Sequence, residues 1–227
     1  MNYPNPPWTI KGYGYQTVHL IETAKASKFI PLDLEIVSVL PGRTIGGIYI
    51  AKYEAGSTLI YSELIAIAGL VKRAGKIGTW ISHIYVDNPD SIAGGREIWG
   101  LPKEAADFFW TPTEQGGVVV RQAGQVLCDF SHGWQFNLWQ MSGQFSSFSR
   151  LTSDLLLFDA KATGNMALVG SRLNVPSSSP FAGLIDSQPI AAVKAEGLSI
   201  TVEAPIPVEA PIPVAARMPR ESVSTQS

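Results

Sequence analysis

Glycine and proline cut this chain into short pieces. Its 227 residues include 21 glycines and 16 prolines. Punctuation at that density marks turns and suits short strands better than long helices. Strands are predicted over residues 16–22, 34–40, 44–53, 61–71, 78–86, 105–111, 155–160, 166–173 and 198–203. A hairpin is predicted from 118–121 and 125–130 around Ala123-Gly124. Thr23 is a fair N-cap and Pro31 a stop, which predicts a short helix over 23–30. Asp87-Asn88-Pro89 supplies a cap and a preorganised first turn for a second helix running to Trp99, with Gly100 as its end. About ten strands against two or three short helices predict a mainly β (α+β) fold, a single-domain antiparallel β-barrel or sandwich.

Composition narrows the function. Hydrophobic residues make up 45% of the chain and charged residues 16%, enough for a sizeable core. The net charge is −2 and no dense basic run occurs. Backbone binding to nucleic acid needs clustered Lys and Arg, so a nucleic-acid partner is not expected. Cys128 is the only cysteine, which excludes an intrachain disulfide and reads best as a small buried hydrophobe. The longest apolar stretch, 64–71, is too short to span a bilayer. Residues 1–8 lack a basic segment followed by an apolar one, so no signal peptide is predicted and a cytoplasmic protein is expected. No two of the three histidines have metal-ligand spacing, and no metal or cofactor is expected.

The C-terminal region repeats itself. Residues 202–207, Val-Glu-Ala-Pro-Ile-Pro, are followed by the same hexapeptide at 208–213. Prolines at that density are expected to prevent a ladder and favour extended, polyproline-like chain. The expected division is a folded domain over 1–207 and a disordered Pro-rich tail over 208–227.

The chemistry concentrates in residues 85–103, from Tyr85-Val86-Asp87-Asn88 through Gly94-Gly95-Arg96-Glu97 to Gly100-Leu101-Pro102-Lys103. Lys103 follows a stiff Gly-Leu-Pro approach between apolar neighbours. A free lysine has a pKa of about 10.4, which leaves roughly one amine in 2,500 neutral at pH 7. Apolar surroundings favour the neutral form, and a neutral amine attacks a ketone.

This segment resembles the Schiff-base lysine region of the acetoacetate decarboxylase family, where the order is Tyr, an aliphatic, Asp-Asn, a short helical run, Gly-Arg-Glu and Pro-Lys. The resemblance implies a lyase that decarboxylates a β-keto or other oxo acid through an imine on Lys103, without a cofactor. It implies that Glu63, in Tyr61-Ser62-Glu63, lines the active site as a proton carrier or substrate-orienting group. Arg96 and Glu97 match the family's Gly-Arg-Glu. An Arg beside a Glu at a helix end reads first as tying the helix to a strand or a neighbouring subunit, with substrate contact as the alternative. His83, in the strand leading to the motif, and Glu104, just after the lysine, are further candidate substrate contacts. Decarboxylases that act on acetoacetate carry a second lysine where Glu104 stands. That a second cation helps to neutralise the reactive lysine is the established case in that family and not a result of the residues here. Glu104 would act in the opposite direction if it faced the amine. A further carboxylate and an arginine of the family's pocket fall on Ile48 and Gly12, so a more apolar pocket is expected. The family forms oligomers, which implies a homo-oligomer.

A broader resemblance links the chain to a sister branch, the neoxanthin-deficient proteins of plants and their cyanobacterial relatives. It is carried by His19-Leu20-Ile21, Phe29-Ile30-Pro31, Thr44-Ile45-Gly46-Gly47, Glu63-Leu64, Ile67-Ala68-Gly69-Leu70-Val71, Gly100-Leu101-Pro102, Ser147-Phe148-Ser149 and Val202-Glu203-Ala204-Pro205. That branch is associated with carotenoid metabolism. It implies the alternative of an accessory or binding protein for an apolar ligand, a carotenoid or terpenoid, without decarboxylase activity.

Overall fold

The computed structural model describes residues 3–111 and 116–208. In chain order the elements are β1 (Trp8–Glu22), α1 (Thr23–Ala26), β2 (Glu35–Ile36), β3 (Arg43–Tyr53), β4 (Tyr61–Arg73), β5 (Lys76–Val86), α2 (Pro89–Trp99), β6 (Lys103–Ala105), β7 (Asp107–Thr111), β8 (Gly117–Gln122), β9 (Gln125–Leu151), β10 (Asp154–Asn174), β11 (Ala191–Val202) and β12 (Ile206–Pro207). Their strands form one twelve-stranded sheet. Neighbours run antiparallel except that β5 lies parallel to both β6 and β9. β10 pairs with β11 and also with β9, and β9 pairs with β5. The path β10-β11-β1-β3-β4-β5-β9 therefore returns to its start as a closed barrel.

Strand alternation gives that barrel an inside and an outside. On β3, Tyr49, Ala51 and Tyr53 face the lumen while Ile48 and Ile50 join a second core outside it. On β4, Tyr61, Glu63, Ile65 and Ile67 face the lumen while Leu64, Ala66 and Ala68 face outward. The outer core is completed by Phe130 and Phe148 of β9, Phe181 and Leu184. Cys128 lies fully buried there as a free thiol, and burial raises its pKa above the ordinary range.

Several elements differ from the sequence expectation. The predicted 16–22 strand extends back to Trp8, which places Trp8 and Ile10 inside the barrel. The predicted 23–30 helix ends at Ala26, and the predicted 34–40 strand shrinks to Glu35–Ile36. Residues 131–151, for which no strand is predicted, continue β9. Their outward positions carry Gln135, Asn137, Gln140, Ser142 and Gln144, which hides the apolar alternation. The two predicted strands 155–160 and 166–173 are one strand, β10. Thr163-Gly164-Asn165 looks like a turn and is a bulge.

Ile206-Pro207 of the first hexapeptide pairs with Leu156-Leu157, and Val208 N–H donates to Leu155 C=O at 2.8 Å. The expectation that prolines prevent a ladder fails for this copy. An edge strand needs backbone partners on one side only, and proline is tolerated there. The second copy and the expected tail lie outside the described residues apart from Val208. No described helix is long and apolar enough to cross a membrane.

Candidate functional site

α2 carries the site. Asn88 caps it by accepting from Asp90 N–H at 2.8 Å and Ser91 N–H at 3.2 Å. Pro89 fills the first turn, and Gly100 (φ 61°) ends the helix in the left-handed region. Inside α2 stand two adjacent glycines, each costing roughly 1 kcal/mol of helix propensity relative to alanine. Close packing explains them. A Cβ on Gly94 would lie 2.6 Å from the Trp8 ring, and a Cβ on Gly95 would lie 2.5 Å from Lys103 Cδ. The helix thus rests its backbone directly on the lysine stem.

Lys103 opens β6 and pairs with Ile84 at the C-terminal end of β5, so both face the lumen. Its exposure is 3%. The amine Nζ donates to Glu63 Oε1 at 2.8 Å and to Ser91 Oγ at 3.0 Å, and it lies 4.9 Å from the centre of the Tyr61 ring. Tyr53 donates its hydroxyl to Glu63 Oε2 at 3.0 Å and lies 3.2 Å from the Tyr49 hydroxyl. Burial raises the pKa of all three tyrosines, and the negative charge of Glu63 adds to the effect. They stay protonated, so Tyr53 holds one carboxylate oxygen by donating while the other oxygen faces the amine. A buried amine with a carboxylate in contact can pass a proton to it and back.

Above this cluster the barrel holds a cavity of about 640 Å³. Ile10, Ile65, Ile81, Phe158, Leu198 and Ile200 are among the residues that give it apolar walls. Lys103 and Glu63 are its only charged lining residues among those described. Trp99 closes one end with its ring edge-on to Trp8, centroids 4.8 Å apart. The positions matching the family's extra charges, Ile48 and Gly12, bring none into the lumen. Ile48 faces the outer core, and Gly12 packs against the backbone of Lys52.

The structure brings Lys103 and Glu63 together and separates them from the other four candidates. Glu104 follows Lys103 on β6, so alternation turns it to the opposite face, where it accepts from Gln122 Nε2 at 2.7 Å. Its charge is felt there by His83 and Tyr85, partly offsetting the fall that burial causes in the His83 pKa. The His83 ring lies 6.0 Å from Phe29 and 5.8 Å from Phe181, outside the barrel. Arg96 is exposed and donates from Nε to the Lys103 carbonyl at 2.8 Å, which fixes the lysine's backbone. Glu97 is exposed and meets the Tyr3 hydroxyl. None of the four lines the cavity. Arg96 instead ties α2 to β6, as an Arg at a helix end can, while Glu97, Glu104 and His83 project away from the cavity. Sequence reasoning passed over Tyr49, Tyr53 and Ser91. The signal for the tyrosines was present in the alternation Tyr49-x-Ala51-x-Tyr53. Among the described residues no group of His, Cys, Asp and Glu is placed to hold a metal.

Known proteins resemble this chain in sequence and in fold. The family model for acetoacetate decarboxylase (ADC) matches residues 2–157. The NEOXANTHIN-DEFICIENT 1 protein of Solanum lycopersicum is 33% identical over 108 residues, 48% of this chain and 36% of that protein, so the match spans about a third of the relative's length. Acetoacetate decarboxylase from Legionella pneumophila superposes with a TM-score of 0.75 at 15% identity, covering 92% of this chain and 90% of that one. The enduracididine biosynthesis enzyme MppR, complexed with pyruvate, superposes with a TM-score of 0.69 at 12% identity over 92% of each chain. A family model that covers most of the chain, together with the shared fold, decides the matter: this chain belongs to the acetoacetate decarboxylase family.

Proposed function

We propose that the chain is an imine-forming carboxy-lyase that acts on an oxo acid through Lys103. One observation carries the reading. A single buried amine stands at the closed end of an apolar cavity, with a carboxylate 2.8 Å away. Glu63 takes the proton that the ammonium must lose. The amine adds to the substrate ketone, and the carbinolamine loses water to give the iminium. The carbon–carboxylate bond breaks, CO2 leaves, and the iminium nitrogen accepts the electron pair. The enamine takes one proton on carbon, and water then releases the ketone and the free lysine. The apolar walls help the central step, because a carboxylate stripped of water loses more by staying charged than by leaving as CO2. Glu104 does not oppose this chemistry, since it points out of the cavity. The pyruvate complex of MppR is consistent with an oxo acid as ligand in this fold. The reaction calls on no group outside the chain, and the family's oligomers make a homo-oligomer the expected state.

Borohydride reduction in the presence of oxo acids tests the reading. The expected result is a mass increase on Lys103 equal to the reduced adduct, absent in Lys103→Ala. No adduct across a panel of short and long oxo acids would sink it. A non-catalytic reading, in which the cavity holds an apolar ligand of the kind the neoxanthin-deficient relatives suggest, draws on the same walls. It differs in expecting Lys103→Ala to bind as well as the wild type.

A further inference from the structure

The cavity is larger than the head chemistry requires. At about 640 Å³ it has room for about twenty water-sized groups of roughly 30 Å³ each. A four-carbon oxo acid would leave most of it empty. An empty apolar lumen of that size forfeits contacts along its whole wall.

Strand registers show how the space is laid out. Lys103 is level with Ile84 of β5, while Thr79 of the same strand is level with Ser147 of β9. β9 runs parallel to β5 there, so Phe145 and then Met141 lie progressively farther from the lysine. The strand path from Ile84 to Thr79 and on from Ser147 to Phe145 is about 23 Å at roughly 3.3 Å per residue. The lysine end is shut by Ser91, Gly95 and Trp99 of α2. Among the described residues nothing closes the other end. Met141 and Phe145 line the cavity and are nevertheless 43% and 46% exposed. Ala160 and Ala162 of β10 stand level with Phe145 and Gly143, and their small side chains keep that end wide. Among the described residues, no charged side chain lines the wall beyond Lys103 and Glu63.

We propose that the substrate is a carbonyl compound with one long hydrocarbon tail, held with its carbonyl at Lys103 and its tail along the lumen to the mouth at Met141 and Phe145. The head rests on the imine reading above; the tail rests on the cavity alone. As a 3-oxo acid, R–CO–CH2–COO⁻, such a substrate would take up one proton, lose CO2 and leave the methyl ketone R–CO–CH3. A charged end group on the tail would be disfavoured, since among the described residues no charged side chain stands along that stretch of wall to pair with it.

A chain-length series separates the two claims. Straight-chain methyl ketones and 3-oxo acids of increasing length are titrated against the intact protein, and each mixture is reduced with borohydride. Dissociation constants should fall about three- to fourfold per added methylene, the ratio expected for burying each one, until the lumen is full at a tail of roughly fifteen to twenty carbons, the number that the volume and the path length allow. A flat series, or tightest binding by the four-carbon members, would overturn the proposal. If affinity climbs with length but no adduct forms on Lys103, the tail inference stands and the imine reading falls. If short oxo acids form the adduct and length brings nothing, the imine reading stands and the tail inference falls. Ala162→Trp should end the climb at a shorter tail. A folded variant with an unchanged limit would overturn the path assigned here, and if it does not fold, the wild-type series still decides.

Discussion

At the scale of single residues the site reduces to one amine and the few groups that touch it. Glu63 is anchored on one oxygen by Tyr53 and offers the other to Lys103. Glu63→Gln keeps the size and the bond from Tyr53 but cannot take a proton. It should slow adduct formation on Lys103 by about 10²- to 10⁴-fold, the usual span for general acid–base help, measured by quenching borohydride trapping at successive times. Gly95→Ala tests placement instead of chemistry. Its Cβ would lie 2.5 Å from Lys103 Cδ and 2.7 Å from Cε, so the stem must swing and take Nζ off Glu63. Adduct yield should collapse while far-UV circular dichroism stays as in the wild type. The Glu63–Lys103 pair was legible in the sequence because both residues sit in recognisable strings. For Tyr49 and Tyr53 the alternation shows a shared face and no more, and Ser91 shows nothing, because only the β3–β4 register and the α2 packing bring the three to the same point. The direction of Glu104 was left open for a simpler reason: a linear reading gives its distance along the chain, and only the pairing of β6 with β5 fixes the side on which it projects.

At the scale of elements α2 joins the chemistry to the barrel. It supplies Ser91 to the amine, Gly95 to the lysine stem and Trp99 to the closed end. Its first turn is pinned by the Asn88 side chain, which accepts two backbone N–H groups. Asn88→Ala should cost about 1 kcal/mol of stability, within the 0.5–2 kcal/mol range of lost caps. Urea unfolding would show it as a lower midpoint at an unchanged slope, and amide exchange should quicken first at Asp90 and Ser91. This helix was readable in advance, because Asn-Pro and a following Gly state its two ends in local chemistry. β9 was not. A strand that lies beside an open mouth has little burial on which to print alternation, and its polar outward positions look like a loop. β10 was divided at Thr163-Gly164-Asn165 because a bulge and a turn use the same residues. The edge strand Ile206-Pro207 was missed because proline was weighed without asking which side of the strand needs a donor.

At the scale of the whole molecule the barrel must remain folded around groups that burial penalises. His19 is one. Burial lowers its pKa to about 4, against about 6.5 unfolded, with Asp186 pulling weakly the other way. The unfolded chain therefore binds more protons between these values, so stability falls as pH drops from about 6.5 towards about 4 and is level above that window. His83 and His132 are lowered in the same sense. Urea midpoints measured across the window should decline with acid, and less steeply in His19→Gln. The ion pair at the closed end is the second such group, and here the barrel's need and the site's need conflict. Lys103 and Glu63 have side-chain exposures of only 4% and 6%. Withdrawing both charges from water costs several kcal/mol each, which their contact, Ser91 and Tyr53 offset only in part. Removing one partner strands the other, so Lys103→Leu alone should destabilise by about 3–5 kcal/mol. Removing both should not. Lys103→Leu with Glu63→Leu extends the apolar wall that already surrounds them, and the double variant should match the wild type in urea or exceed it by about 1–4 kcal/mol. It should also lose all trapping by borohydride. A double variant as unstable as the single one would mean that the pair holds the barrel together. A stable and inert double variant would mean that the fold carries this pair at a cost, and that the two charges serve the reaction.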